Sequence, residues 1–226
     1  MKKQLLLFLL LITSIFVEAQ IGIGVGYLNH DPSNNWLTTT SNTNQELPGS
    51  GFATSIDYRL KLKSIRIEFY PYLGFSRQQQ DLHFNTEPIN AEVTGFHLGL
   101  NSRIYPLDLE GDCDCPTWRK EGPTLEKGLF LQLGAGLSLY RFTLDLSETS
   151  FLDNDAAPFF GGGLGFDIGI SDLLTITPQA MIHYYPKVTW ESLESDMILG
   201  IPDEIKAETS LLQYQLGIHL GFHLRN

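Results

Sequence analysis

Four histidines offer the most versatile chemistry in the chain: His97, His183, His219 and His223. Imidazole titrates near neutral pH and binds transition metals, so such a set could form a metal site or a proton-linked site. No HExxH or similar spacing organises the four residues as ligands. We therefore expect them to fill a polar interior, and the sequence predicts neither a metal site nor a cofactor.

The two cysteines, Cys113 and Cys115, are separated by a single residue. In an oxidising compartment they could form a disulfide. A bridge across one residue is strained and could be redox-labile, or it could lock a turn. We favour a structural, locally bridged turn, because a metal site would need further ligands from distant parts of the chain.

Two glycine-rich runs, at residues 22–26 and 161–165, resemble phosphate-binding loops only superficially. A phosphate-binding loop leads into a helix N-terminus, whereas both runs continue into strand-like alternation. We interpret the glycines as small interior residues that leave room for Tyr70, Tyr72, Tyr140 and arginine side chains on neighbouring strands.

Apolar residues alternate with polar or small residues along about eight segments. In an extended strand, these two sets of side chains lie on opposite faces. The segments are 20–28, 51–60, 65–75, 91–105, 128–146, 158–171, 173–190 and 210–224. This pattern predicts an all-β protein, an antiparallel up-and-down transmembrane β-barrel of about eight strands in which the last segment pairs with the first. Pro71 and Pro178 fall within segments, so we expect a bulge or local distortion at each.

The first 19 residues have the features of a secretory signal peptide. Lys2 and Lys3 precede an apolar run at residues 5–17, and a small-residue cleavage site ends at Ala19. No later stretch is long and apolar enough for a spanning helix, so a mature chain in a membrane must form a closed barrel. We predict a signal peptide (1–19) followed by an outer-membrane β-barrel domain (20–226).

Charged residues occur on the face opposite the apolar rows. They are Asp57, Arg59, Arg66, Glu68, Arg103 and Asp167. We predict that these three acids and three bases pair at one level of the barrel and plug its narrow interior. The alternative, a soluble sandwich, would bury the apolar row and expose the charged one. The export signal and the number of matching segments favour the barrel.

Turn lengths predict the orientation of the barrel. With both termini in the periplasm, the connections 29–50, 77–90, 147–157 and 187–209 face outside. The periplasmic turns are then 61–64, 106–127 and 171–172, and only 106–127 is long. Long outer and short inner connections are typical of outer-membrane barrels.

These features together resemble the small outer-membrane β-barrel proteins of Gram-negative bacteria, such as the OmpA and OmpX transmembrane domains and PorT-like barrels. The resemblance covers residues 20–226 and rests on the signal peptide, the alternating strands, the charged interior and the aromatic final strand. It implies insertion into the outer membrane by the barrel assembly machinery. That machinery reads an aromatic residue at the end of the last strand, for which Phe222 is the nearest candidate.

Three functions are compatible with this sequence. We favour a non-enzymatic barrel whose outer loops contact an extracellular or periplasmic protein partner or support the envelope. An accessory barrel of a secretion or motility apparatus would use the 106–127 turn for docking. A lipid-modifying enzyme would need a Ser, a His and an acid that converge near the membrane surface, and no compact motif of this kind stands out. The formal net charge of −11 argues against nucleic acid as a partner.

Overall fold

Ten β-strands account for most of the regular structure. The structure, a computed structural model, describes residues 20–33, 36–40, 43–61, 67–84, 87–106, 128–145, 149–171, 173–194 and 207–223. The strands are β1 (Gln20–Pro32), β2 (Leu37–Thr40), β3 (Thr43–Glu46), β4 (Ser50–Lys61), β5 (Ile67–Phe84), β6 (Glu87–Ile104), β7 (Gly128–Asp145), β8 (Ser150–Ser171), β9 (Leu174–Thr189) and β10 (Glu208–His223). A short 3-10 helix, Glu191–Glu194, follows β9.

Eight of these strands close a barrel in the order β1-β10-β9-β8-β7-β6-β5-β4, and β2 and β3 form a separate two-stranded sheet. Every neighbouring pair in the barrel is antiparallel. β1 and β10 close it, with Gln20 opposite His223 and Tyr27 opposite Leu216. The predicted fold class is therefore confirmed, including the pairing of the last segment with the first.

Several predicted features lie outside the described residues. They are the signal peptide, Arg66, Cys113, Cys115 and nearly all of the 106–127 turn. Among the residues that are described, no helix is long and apolar enough to cross a membrane.

The apolar rows lie on the outside of the barrel wall. Leu98, Leu133 and Leu216 are 61%, 59% and 63% exposed, whereas the inward Gln132 and Arg103 are 2% and 3% exposed. Because successive side chains of a strand alternate between faces, this contrast fixes which row faces the lumen. It matches the predicted assignment of an apolar exterior and a polar interior.

The strands of one half of the barrel are longer than predicted. β5 continues to Phe84, β6 begins at Glu87 and β8 begins at Ser150, so most of the predicted loops 77–90 and 147–157 are strand. Near this end of the barrel the alternation changes sense, because the buried inward residues are apolar. Examples are Ala91 and Val93 on β6 and Phe142 and Leu144 on β7, all of which lie inside the predicted segments.

Pro71 and Pro178 interrupt the sheet without shifting its register. The β4–β5 ladder passes from Asp57–Tyr72 to Leu60–Phe69, and therefore skips the pair that contains Pro71. The β8–β9 ladder likewise skips the position of Pro178 between Gly165–Gln179 and Ile168–Ile176. Proline has no N–H to donate, so each residue removes a ladder bond on one side. A local distortion was predicted, and it takes the form of a gap and not a bulge.

Candidate functional site in the barrel lumen

A layer of charged side chains fills the lumen at the end that holds both termini. Arg59 forms an ion pair with Glu68, and Tyr70 donates its hydroxyl hydrogen to the Glu68 carboxylate at 2.8 Å. Arg103 Nη1 lies 3.9 Å from Asp167 Oδ1, and these two side chains are 4% and 5% exposed. Buried charges are stable when they are paired and hydrogen-bonded in this way. The structure thus brings together the predicted charges that it describes.

Arg103 is the most heavily contacted member of this charge layer. Its guanidinium lies 4.1 Å from the centre of the Tyr70 ring and 4.5 Å from that of Phe130. Arg103 Nε donates to Gln132 Oε1 at 2.8 Å, and Nη2 donates to Gln179 Oε1 at 3.3 Å. A planar guanidinium can stack on rings and donate hydrogen bonds at its edge at the same time. Arg103 therefore ties together side chains from four strands.

The third acid of the layer has a partner that the sequence did not suggest. Asp57 Oδ2 lies 2.8 Å from His219 Nε2, and both side chains are more than 90% buried. We expected three acids to meet three bases, but Arg66 lies outside the described residues. Within the described residues, Asp57 is instead paired with His219, which was predicted only to help fill the polar interior.

Two glycines allow this layer to pack. A Cβ atom on Gly22 would lie 2.1 Å from His219 Nε2, and one on Gly165 would lie 2.3 Å from Phe130 Cζ. Either distance is too short for a real contact, so a larger residue would have to displace the His219 or the Phe130 side chain. The glycine runs therefore make room for large lumen side chains, as predicted. At these two glycines the large side chains are a histidine and a phenylalanine, and not the predicted tyrosines and arginines.

The other histidines are dispersed through the lumen. His223 Nε2 lies 3.0 Å from Thr175 Oγ1 near the termini. The His183 ring contacts Phe159, with ring centroids 5.3 Å apart. His97 lies beside Tyr140, a member of an apolar cluster at the end opposite the termini. No group of three metal-ligating side chains occurs within the described residues.

His97 belongs to a chain of hydrogen bonds that crosses the barrel. Its Nε2 is 2.8 Å from Ser76 Oγ, and its Nδ1 is 2.7 Å from Ser138 Oγ. Ser138 donates to the Tyr185 hydroxyl oxygen at 3.4 Å, and Tyr185 donates to Gln213 Oε1 at 2.8 Å. The Ser138 hydroxyl can both donate and accept, so it links the His97 ring to Tyr185. These contacts connect β5 to β10 across the lumen.

A cavity of about 50 Å³ lies between the charge layer and this chain of hydrogen bonds. Its lining includes the polar side chains of Asp57, Arg103, Gln179, His97 and Gln215. A cavity of this size with several polar partners has room for a few water molecules.

An apolar cluster fills the lumen at the end opposite the termini. Its centre is Phe142, which stacks on Trp190 with ring centroids 4.8 Å apart, and Trp36 meets Phe142 edge-on at 5.9 Å. Both tryptophans are 0% exposed. The sequence analysis missed this cluster. The apolar residues at 89, 91 and 93 alternate onto the inward face of β6, and this pattern could have indicated it. We call this cluster the apolar cap.

The exterior carries a continuous apolar belt with an aromatic border. Tyr27 lies opposite Phe52, and Phe160 lies opposite Tyr184; all four are 46% to 59% exposed. Phe222 is 40% exposed on the same exterior, close to the end of β10. A closed barrel leaves no unpaired edge in lipid, and aromatic girdles mark the two edges of the lipid-facing band. The protein is an integral β-barrel of the outer-membrane type.

Comparisons with known proteins find distant likenesses among solved structures. No protein-family model and no curated protein matches the chain. Ail, the attachment invasion locus protein of Yersinia pestis in complex with the heparin analogue sucrose octasulfate, has a TM-score of 0.47 and 11% identity, over 91% of this chain and 99% of that chain. Neisserial surface protein A (NspA) has a TM-score of 0.46 and 11% identity, over 90% and 96%. OprG from Pseudomonas aeruginosa has a TM-score of 0.45 and 12% identity, over 92% and 96%. At such low TM-scores the likeness carries no weight for this chain, and the barrel is assigned from the chain's own strand order and exterior.

Proposed function

We propose that this outer-membrane barrel has a plugged lumen and a non-enzymatic role in envelope structure, adhesion or partner binding. The observation that carries the proposal is the filling of the lumen at both ends. The charge layer lies at one end and the apolar cap lies at the other, and a cavity of about 50 Å³ and the hydrogen-bonded chain of His97 lie between them. An eight-stranded barrel has an interior that side chains can fill, so no solute path is needed to explain this lumen.

The long strands support a role at the end opposite the termini. β5, β6, β7 and β8 all continue past the aromatic girdle, and the outward side chains of β5, β6 and β7 include the polar residues Arg77, Glu92 and Arg141 there. If the termini lie in the periplasm, this wall projects outside the cell. A rigid projecting sheet is a suitable support for loops that bind a partner.

The only Ser–His contacts described in the lumen do not favour an enzyme. Ser76 and Ser138 flank His97, but they are 1% and 0% exposed. A nucleophile for lipid would have to reach the membrane surface. Here the hydroxyl groups are closed off inside the barrel, where they hold His97 in place.

Conductance in planar bilayers tests the plug. We expect no steady large conductance from the folded protein, and a porin serves as the positive control for conductance. Folding is checked by an SDS gel band that changes mobility on boiling. Steady large conductance would overturn the plugged lumen.

Two cell-based comparisons test the role. Replacing residues 37–46 by a glycine-serine linker should reduce adhesion or partner capture while the barrel still reaches the outer membrane. Unchanged adhesion and capture would count against a binding role for this hairpin. Lipid A mass spectra should be the same with and without the gene, and a gene-dependent change would contradict the non-enzymatic assignment.

A second candidate is an accessory barrel of a secretion or motility apparatus. It rests on the length of the 106–127 turn, which would face the periplasm in the predicted orientation. Affinity capture with the full chain and with a chain whose turn is shortened should then recover different periplasmic proteins. Identical recovery would remove the only support for this candidate.

A further inference from the structure

The wall between β8 and β9 opens above the girdle. Their ladder ends at the pair Phe160–Tyr184, although β8 extends back to Ser150 and β9 continues to Thr189. Continuing the same register by two residues would place Pro158 opposite Pro186. Neither residue has an N–H to donate, so the ladder cannot continue across this step. The two strands therefore separate at a defined position.

Two carboxylates bridge the gap above the prolines. Asp155 Oδ2 accepts the Thr189 N–H at 2.7 Å. Asp153 Oδ2 accepts the Ser192 N–H at 2.7 Å and also the Ser192 hydroxyl hydrogen. Asp153 and Asp155 are two residues apart, so both face the same side of β8. Side-chain acceptors thus replace the backbone acceptors that a continuous sheet would supply.

These carboxylates hold a segment that closes the barrel. Residues 189–194 include the short 3-10 helix, and Trp190 points into the lumen, where it stacks on Phe142. The other side of the segment is attached to the start of β10, because the Trp190 N–H donates to the Ala207 carbonyl at 2.8 Å. We call residues 189–194 the lid.

The closed lid contains one unfavourable feature. Trp190 is 0% exposed, and its indole Nε1 has no hydrogen-bond partner among the described residues. Burying a donor without a partner opposes burial of the ring. The closed state therefore depends on favourable contacts elsewhere, and the two carboxylates supply charge-assisted hydrogen bonds at the lid's margin.

We propose that Asp153 and Asp155 form a releasable latch for this lid. Loss of the latch frees residues 189–194 and exposes the Phe142 side of the apolar cap, while the ladder below Phe160–Tyr184 remains closed. The outer end of the barrel then has two states, one sealed by Trp190 and one that presents an open aromatic cup.

Hydrogen exchange of the full chain in detergent micelles tests the latch. In an Asp153→Ala/Asp155→Ala variant, we expect amides of residues 189–194 to exchange at least tenfold faster, and amides of residues 176–184 to exchange as in the wild type. Asp31→Ala is the matched control, because Asp31 is an exposed acid on the outer side of β1. It should change neither segment.

Three results would overturn the proposal. Unchanged exchange at residues 189–194 would mean that the carboxylates do not hold the lid. A parallel increase at residues 176–184 would mean that the lid cannot separate from the barrel. If the double variant gives no heat-modifiable band, the single variant Asp155→Ala is measured instead. Hydrogen exchange of the Thr189 amide should then accelerate more than that of the Ser192 amide. Equal acceleration of the two amides, or none, would refute the latch.

Discussion

The alternation of glycines 161, 162 and 163 gives a sharp test of the lumen packing. Gly161 faces the lumen, where an added Cβ would lie 2.4 Å from His183 Cδ2 and 2.8 Å from the Ile182 carbonyl oxygen. Gly162 faces outward, and an added Cβ there would lie 3.7 Å from the Gln132 carbonyl oxygen, which is ordinary contact. Neighbouring glycines should therefore respond in opposite ways to the same substitution.

The expected magnitudes follow from these distances. Gly161→Ala forces His183 and a backbone carbonyl apart, and overpacking of this kind costs about 1–3 kcal/mol. Gly162→Ala meets no obstacle and restricts the unfolded chain, which should stabilise by about 0.4–1 kcal/mol. The two variants should therefore differ by about 1.4–4 kcal/mol in their free energy of unfolding. Gly163→Ala should resemble Gly161→Ala, because its Cβ would lie 2.2 Å from the Ala180 carbonyl oxygen.

Urea-induced unfolding in lipid vesicles measures this difference, with tryptophan fluorescence and gel mobility as independent signals. Gly162→Ala serves as the matched control, since it adds the same methyl group one residue away. Equal effects at 161 and 162, or a larger loss at 162, would refute the assignment of inward and outward faces on β8. Such a result would also refute the interpretation of the glycine run as packing space.

Three further substitutions, one of them a control, test the interior and the exterior by the same unfolding measurement. Arg59→Ala removes the buried Arg59–Glu68 ion pair and should destabilise the protein by about 3 kcal/mol. The control Lys187→Ala, which breaks an exposed ion pair, should cost less than about 1 kcal/mol. A similar cost for both would show that the charge layer is hydrated. Leu98→Arg places a charge in the lipid-facing belt and should destabilise by about 2–4 kcal/mol. Full stability of that variant in vesicles would be incompatible with Leu98 facing lipid.

Much of the barrel wall could be predicted from the sequence, because strand alternation is a local property. Leu216 and its neighbours on β10 alternate with Gly217 and His219, and a side chain's face depends only on its parity within the strand. The strand ends were harder to predict. Beyond the girdle the exterior contacts water instead of lipid, so the apolar residues of β6 and β7 face inward. Alternation alone does not show at which residue the surroundings change from lipid to water.

The pairing inside the lumen was predicted only as a set of charges. Asp57 and His219 are 162 residues apart in the chain, and they meet because β1, β4 and β10 are neighbours in the closed barrel. No local pattern marks such a pair. The same applies to Asp153 and Ser192, whose contact depends on the separation of β8 and β9 at the two prolines.

The sequence by itself determined the class of the protein, an antiparallel barrel with an apolar exterior and a charged interior, since composition and period two follow from single strands. Only the tertiary structure decided which charges pair, that His97 joins a hydrogen-bonded chain across the lumen, and that Trp190 stacks on Phe142 at the end opposite the termini. These contacts depend on the register and curvature of eight strands at once. Closure of the barrel fixes both, and no single strand contains that information.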